Sequence, residues 1–167
     1  MPELAIRPLA PSEVGALGQL ARDIWHAHYP GIISRAQIDF MLKQRYSPAA
    51  ILAALQQQHW AAAWLGSEMA GFVNSFADAA PATWKLDKLY VHPARQRQGI
   101  GRALLDSAIA QARDAGAGRL ILRVNRHNRI ALAAYANYGF KVYGEHMLEI
   151  GDGFVMDDFL LELALCS

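Results

Sequence analysis

The stretch Val91-His92-Pro93-Ala94-Arg95-Gln96-Arg97-Gln98-Gly99-Ile100-Gly101-Arg102-Ala103-Leu104-Leu105 constrains this chain more than any other. It reads as the end of a strand, a tight glycine turn and the first turn of an amphipathic helix. The opening N–H groups of a helix have no intrahelical partners, and the helix dipole adds positive potential there. Glycines let the backbone come close to a ligand. The segment therefore predicts an anion site suited to a pyrophosphate. Two other phosphate loops are excluded by residue identity. A dinucleotide fingerprint needs a glycine three residues after Gly101, where Leu104 stands. A nucleoside-triphosphate loop needs Gly-Lys-Ser/Thr, and the chain has no such tripeptide.

The flanking sequence places this turn inside a mixed α/β fold. Leu4-Ala5-Ile6-Arg7 reads as a first strand, and Ser12 as the cap of a helix to about His26. His28-Tyr29-Pro30-Gly31 ends that helix. Ser34-Arg35-Ala36-Gln37 has capping-box spacing, and Ser47-Pro48 starts another helix. His59 to Leu65 and Met69 to Phe76 are strands around Gly66-Ser67-Glu68. Trp84 to Val91 is the next strand. The helix from Gly99 to about Ala115 should bury Ala103, Leu104, Ala108 and Ile109, and Gly116 and Gly118 stop it. Leu120 to Val124 is a strand, Asn128 to Tyr138 a helix, and strands opening at Phe140 and Phe154 complete the order. Such an order predicts one sheet covered by helices, with residues 1–167 as a single domain.

Composition narrows the setting. Hydrophobic residues make up 53% of the chain, enough for a sizeable core, and the formal net charge is +1. A charge so near zero argues against a nucleic-acid partner. No apolar run reaches the ~18 residues of a membrane span, and Met1-Pro2-Glu3 does not open a signal peptide. The one cysteine, Cys166, rules out an internal disulfide framework. A soluble, cytoplasmic protein is the expectation. The six histidines show no metal-ligand spacing. Cys166 lacks an adjacent base for covalent catalysis, and no Gly-x-Ser-x-Gly elbow occurs.

Two patterns carry a family resemblance. Gln96-x-x-Gly99-x-Gly101, followed by Asn128-x-x-Ala131-x-x-x-Tyr135-x-x-x-Gly139-Phe140, resembles the GNAT superfamily of N-acetyltransferases. The element order agrees with it over the whole chain, although only about residues 84 to 140 are specific. The resemblance implies a central mixed, mostly antiparallel sheet that splays at a cofactor site. It implies acetyl-CoA as cofactor and transfer to a primary amine of a small molecule or peptide by direct attack in a ternary complex. Leu89, Tyr90 and Val91 would pair their backbone with the pantetheine arm, as a peptide adds to a sheet edge. Arg97, Gln98, Gly99, Ile100, Gly101 and Arg102 would wrap the pyrophosphate. Asn128 would cap its helix and bond the cofactor arm. Tyr135 would be the catalytic residue, giving a proton to the leaving thiolate, while Tyr138 packs. Arg95 stands where many relatives carry an aromatic residue. The resemblance leaves room for a homodimer.

The group that takes the acceptor's proton is not singled out by the sequence. Lys85 and Arg123 occupy sheet positions where a carboxylate would have been informative. Asp87, Glu145, Asp157, Asp158, His26 and His28 are the candidates. On the last strand Asp157 and Asp158 point to opposite faces, so one at most points inward, and an inward carboxylate favours a small cationic acceptor. The turn His26 to Ile33 would cover the acceptor. Two rival readings exist. A non-catalytic acyl-CoA sensor would lack the base. A nucleic-acid binder would use Arg95, Arg97, Arg102, Arg119, Arg123, Arg126 and Arg129, but these arginines are expected to gather around the phosphate end of the cofactor.

Overall fold

The computed structural model of the chain describes residues 2–165. After β1 (Leu4–Pro8) come three helices, α1 (Val14–His28), α2 (Arg35–Tyr46) and α3 (Pro48–Leu55). Then follow β2 (His59–Leu65), β3 (Glu68–Ala77), β4 (Thr83–Val91), α4 (Ile100–Asp114), β5 (Arg119–Asn125), α5 (Arg129–Tyr138), β6 (Lys141–Gly151) and β7 (Phe154–Ala164). The strands form one seven-stranded sheet in the order β1-β2-β3-β4-β5-β7-β6. Every neighbouring pair is antiparallel except β4 and β5, whose parallel pairing follows the crossover through α4. None of the described helices is long and apolar enough to cross a membrane.

Helix starts follow their local chemistry with one exception. Ser34 Oγ accepts from the Gln37 amide at 3.1 Å and Ser47 Oγ from Ala50 at 3.3 Å. Ser12 does not cap α1. A short turn at Pro11–Glu13 precedes that helix, and the Glu13 carboxylate accepts from the Ala10 amide at 2.8 Å. A carboxylate is the stronger acceptor, and it also complements the dipole at that end.

Two apolar clusters cover the two faces of the sheet. One joins α1, α2 and α3 to β2 and β3 through Leu17, Ile38, Tyr46, Ile51 and Phe72. The other packs α4 on the opposite face through Ile100, Leu104, Leu105, Ala108, Ile109 and Ala112. Ala103 is only half-buried and Leu105 takes its place in the core. Gly71 permits close approach of β3 to β4, because a Cβ there would lie 2.7 Å from the Tyr90 carbonyl oxygen.

The feature that positions the site is an irregularity in β4. Its pairing with β3 runs Leu86↔Ser75 and then Lys88↔Asn74, so Asp87 is an extra residue, a β-bulge. The bulge shifts the alternation of side chains. Leu86, Leu89 and Val91 all contribute to the α4 face, while Lys88 and Tyr90 turn toward the helices on the other face. Parallel pairing of β4 with β5 also ends here: it covers Thr83–Leu86 against Arg119–Leu122 and no further. From Asp87 onward β4 stays on β3, and β5 continues on β7 to the pair Asn125↔Asp158. The strands diverge and leave a gap through the sheet.

Candidate active site

Two cavities meet in that gap. The first is a cleft of about 460 Å³ between the C-terminal half of β4, the start of α4 and α5. Leu89, Tyr90, Val91, Arg97, Gly99, Ile100, Gly101, Arg102, Asn128 and Tyr135 line it together; Gln98 does not, and its side chain is exposed. Gly99 caps α4 with φ +79°, a left-handed conformation that glycine adopts without strain. The first intrahelical bond runs from the Ala103 amide to the Gly99 carbonyl at 3.0 Å. The helix therefore offers the N–H groups of Ile100, Gly101 and Arg102 to the cleft. A Cβ on Gly101 would sit 3.6 Å from Val91 Cγ2, an ordinary contact, so the fold itself does not demand glycine there. Arg97 holds φ +64°, an unusual conformation for a residue with a side chain.

The arginines divide differently from the sequence expectation. Only Arg95, Arg97 and Arg102 of that set line the cleft. Arg95 pairs with Glu68 at 2.6 Å, and Arg102 lies over the Tyr138 ring at 5.1 Å. Arg119 pairs with Glu162, and Arg126 with Asp157 and Glu145. Arg123 lines the second cavity. Tyr138 packs on Phe140, bonds Asp106 and forms part of the cleft wall.

Asn128 and Tyr135 lie on the boundary, lining both cavities. Asn128 is 6% exposed and caps α5, its Oδ1 accepting from the Ala131 amide at 3.3 Å. Tyr135 stacks edge-on against Phe140 at 5.3 Å. Burial, with a smaller contribution from Tyr29, pushes its hydroxyl well above the ordinary tyrosine range. The phenol keeps its proton at neutral and moderately alkaline pH.

The second cavity, about 120 Å³, lies under the end of α1 and is walled by α2, β4, β5 and β7. Of the turn His26 to Ile33, Tyr29 and Ile33 line it, His28 faces the cofactor cleft, and His26 pairs with Asp39 at 3.3 Å. The Tyr29 and Tyr90 hydroxyls meet at 2.9 Å and tie the end of α1 to β4.

The carboxylate candidates separate cleanly. Glu145 and Asp157 are engaged by Arg126 and lie outside the cavity lining. Asp87 lines the cavity with Lys88 at 2.6 Å and Lys85 at 3.7 Å. Burial would raise its pKa, but Lys88, Arg45 and Lys85 outweigh burial and hold it below the usual carboxylate range. Asp158 is the inward member of its pair. It is 2% exposed and lines the cavity, and its Oδ2 is buried without a hydrogen-bond partner. Burial pushes its carboxyl up, against the pull of Arg123 and Arg45. Asp158 thus has both the free oxygen and the proton affinity that Asp87 lacks. Cys166 lies outside the described residues.

The sequence reading missed Lys88, Arg45 and Met156 at this cavity. The bulge did leave a trace: apolar residues at 84, 86, 89 and 91 break strict alternation between Leu86 and Leu89.

Comparison with known proteins agrees with this geometry. A family model described as "Acetyltransferase (GNAT) family" matches residues 19–140. The spermidine N(1)-acetyltransferase of Thermoplasma acidophilum is 28% identical over 165 residues, covering 95% of this chain and 96% of that protein. The crystal structure of PaiA N-acetyltransferase from Thermoplasma acidophilum in complex with coenzyme A superposes with a TM-score of 0.83 at 27% identity, covering 97% of this chain and 99% of the other. The [ribosomal protein bS18]-alanine N-acetyltransferase of Escherichia coli is 42% identical over 55 residues, 33% of this chain and 37% of that protein.

Proposed function

The chain belongs to the GNAT family of acetyltransferases, and we propose that it moves the acetyl group of acetyl-CoA to a primary amine by direct attack in a ternary complex. The observation that carries this reading is the meeting of the two cavities at Asn128 and Tyr135, between strands that part after Leu86. We take residues 1–167 as one working unit acting in the cytoplasm, and its near-neutral charge argues against a nucleic-acid partner.

The cleft over Gly99 fits the cofactor. Helix amides, Arg97 and Arg102 offer positive potential for a pyrophosphate, and the edge of β4 facing away from β3 offers backbone groups to an extended amide chain. When bound, acetyl-CoA supplies an acetyl thioester, an acyl group open to attack by an amine. The chain's own residues then divide the work. Asp158 Oδ2 receives the acceptor's proton, which an ammonium with pKa near ~10.4 must lose before it becomes a nucleophile. The raised proton affinity of Asp158 improves it as a base. A main-chain N–H on the open edge of β4 stabilises negative charge that develops on oxygen. Tyr135, whose pKa is raised by burial, keeps a proton at its hydroxyl for the departing thiolate. The alternative reading, a sensor without turnover, needs a site without a base, and Asp158 weighs against it.

Substitution Tyr135→Phe tests the reading. Turnover should fall by about 10²–10⁴-fold, with cofactor affinity by calorimetry unchanged. Wild-type turnover, where chemistry limits the rate, would return Tyr135 to a packing role on Phe140.

A further inference from the structure

The cavity beneath Tyr29 holds more cations than the transfer chemistry uses. Arg45, Lys85, Lys88 and Arg123 line it, against Asp87 and Asp158. Lys88 is accounted for: it donates to Asp87 at 2.6 Å and to Asn74 at 3.4 Å and lies over the rings of Tyr46 and Trp60. Lys85 shares the same Asp87 carboxylate. Arg45 and Arg123 form no ion pair among the described residues. Half-buried Arg45 donates instead to Met156 Sδ at 3.3 Å, and a thioether is a weak acceptor. A guanidinium carries five donors in a planar fork suited to a carboxylate, and for half-buried Arg45, unlike exposed Arg123, partial withdrawal from water without a counter-charge adds a cost. Arg45 and Arg123 line this cavity and not the cofactor cleft, so the phosphates of the cofactor do not explain them.

The position of Arg45 gives the vacancy a direction. Its partner Met156 stands two residues before Asp158 on β7, on the same face of the strand. Arg45 also lowers the proton affinity of Asp158. A guanidinium held only by a thioether thus lines the same cavity as a buried, unpartnered carboxylate oxygen. Such a pair complements a ligand with one negative and one positive end.

We propose that the acceptor is a small amine that also bears a carboxylate, an amino-acid-like zwitterion, with its carboxylate on Arg45 and Arg123 and its amine directed to Asp158. The inference rests on the acetyltransferase reading and narrows its acceptor. It differs from the small cationic acceptor that the sequence favours from Asp157 and Asp158. Asp157 is neutralised by Arg126 outside the cavity. A polyamine would bring further ammonium groups toward two unpaired guanidiniums, where like charges repel.

The test compares free amino acids with their carboxamides, polyamines and short peptides, by thiol release from acetyl-CoA. An amino acid should exceed its carboxamide at least about 10-fold in kcat/KM. Arg45→Gln should erase the preference by raising KM for the carboxylated acceptor about 10–100-fold, the range for a lost charge-assisted contact, and Arg45→Lys should restore part of it. Arg123→Gln, at an exposed position, should weaken the preference without risk to the fold. Calorimetric titration of amino acids into the CoA-saturated protein is the second readout. Arg45-dependent binding without turnover would support this inference while overturning the transferase role. Equal or better turnover of carboxamides, polyamines or peptides regardless of carboxylate would overturn the inference and leave the transferase role standing. So would a carboxylate preference that survives both glutamine substitutions.

Discussion

The cleft over Gly99–Gly101 takes its polar groups mainly from the main chain of one contiguous stretch, whereas the cavity beneath Tyr29 takes them from side chains on α2, β4, β5 and β7. The first is built from peptide units, which any sequence possesses, and needs only glycine and a helix start to expose them. The second depends on which side chain each distant element delivers. A main-chain site suits a ligand that every member of a family shares, because side chains around it are free to vary. A side-chain site suits a ligand that differs from member to member.

The sharpest way to break the comparison is Gly101→Glu. The added Cβ meets only Val91 Cγ2 at 3.6 Å, so the fold should persist. A carboxylate among the free helix amides should abolish acetyl-CoA binding. Calorimetry that finds unchanged affinity in a folded variant would remove the pyrophosphate from this turn.

Asp158→Asn probes the other side, with a smaller but still large effect. Turnover should drop about 10²–10⁴-fold while cofactor affinity holds. Its stability effect has the opposite sign. Burial raises the folded-state pKa of Asp158, so the native chain binds the proton more tightly than the unfolded chain does. Stability then falls as pH rises through that interval, and the ionised carboxylate is a cost at neutral pH. The asparagine variant should therefore melt at higher temperature at pH 7, with the gain fading at pH below the ordinary carboxylate value. Thermal melts across pH that show the reverse trend would mean that Asp158 is a structural anion.

Arg97→Gly gives the smallest effect and tests main chain against side chain directly. It removes a guanidinium from the cleft and relieves a left-handed φ that costs a side-chain-bearing residue about 1–2 kcal/mol. Stability should hold or rise, and acetyl-CoA affinity should fall less than ~10-fold. A loss comparable to that of Gly101→Glu would show that side chains hold the phosphates after all.

Legibility in the sequence follows the same line. The turn at Gln96–Arg102, the Asn128 cap and Tyr135 sit at fixed spacings within short segments, so they could be read directly. Strand and helix order was readable for the same reason, through local periodicity and caps. The Ser12 cap failed because Ser12 lies inside the short turn Pro11–Glu13, whose Glu13 bonds back to the Ala10 amide. The cavity beneath Tyr29 was opaque for a physical reason. Arg45 and Met156 are 111 residues apart, and nothing local brings them together. Asp157 and Asp158 are equivalent until strand register decides which one faces Asn125 and the cavity. The charge surplus of the cavity was equally hidden, because Arg123 and Arg126 look alike in the sequence and only Arg126 finds acidic partners.

The four-residue parallel seam between β4 and β5 has a mechanical consequence. It is the one ladder that joins β1–β4 to β5–β7 among the described residues. On the α4 side an apolar cluster spans the seam, drawing on Ala63, Val73, Leu122, Val124 and Leu161 from both halves. On the opposite side the two halves touch chiefly where α2 reaches β7, through Gln37 on the Val155 carbonyl, Arg45 on Met156 and Phe40 on Phe154. A plate joined by so short a ladder has its weakest line along that ladder, and the apolar cluster on the α4 side is what spans it. Beyond Leu86 and Leu122 no ladder among the described residues holds the two halves, and both cavities open at that point.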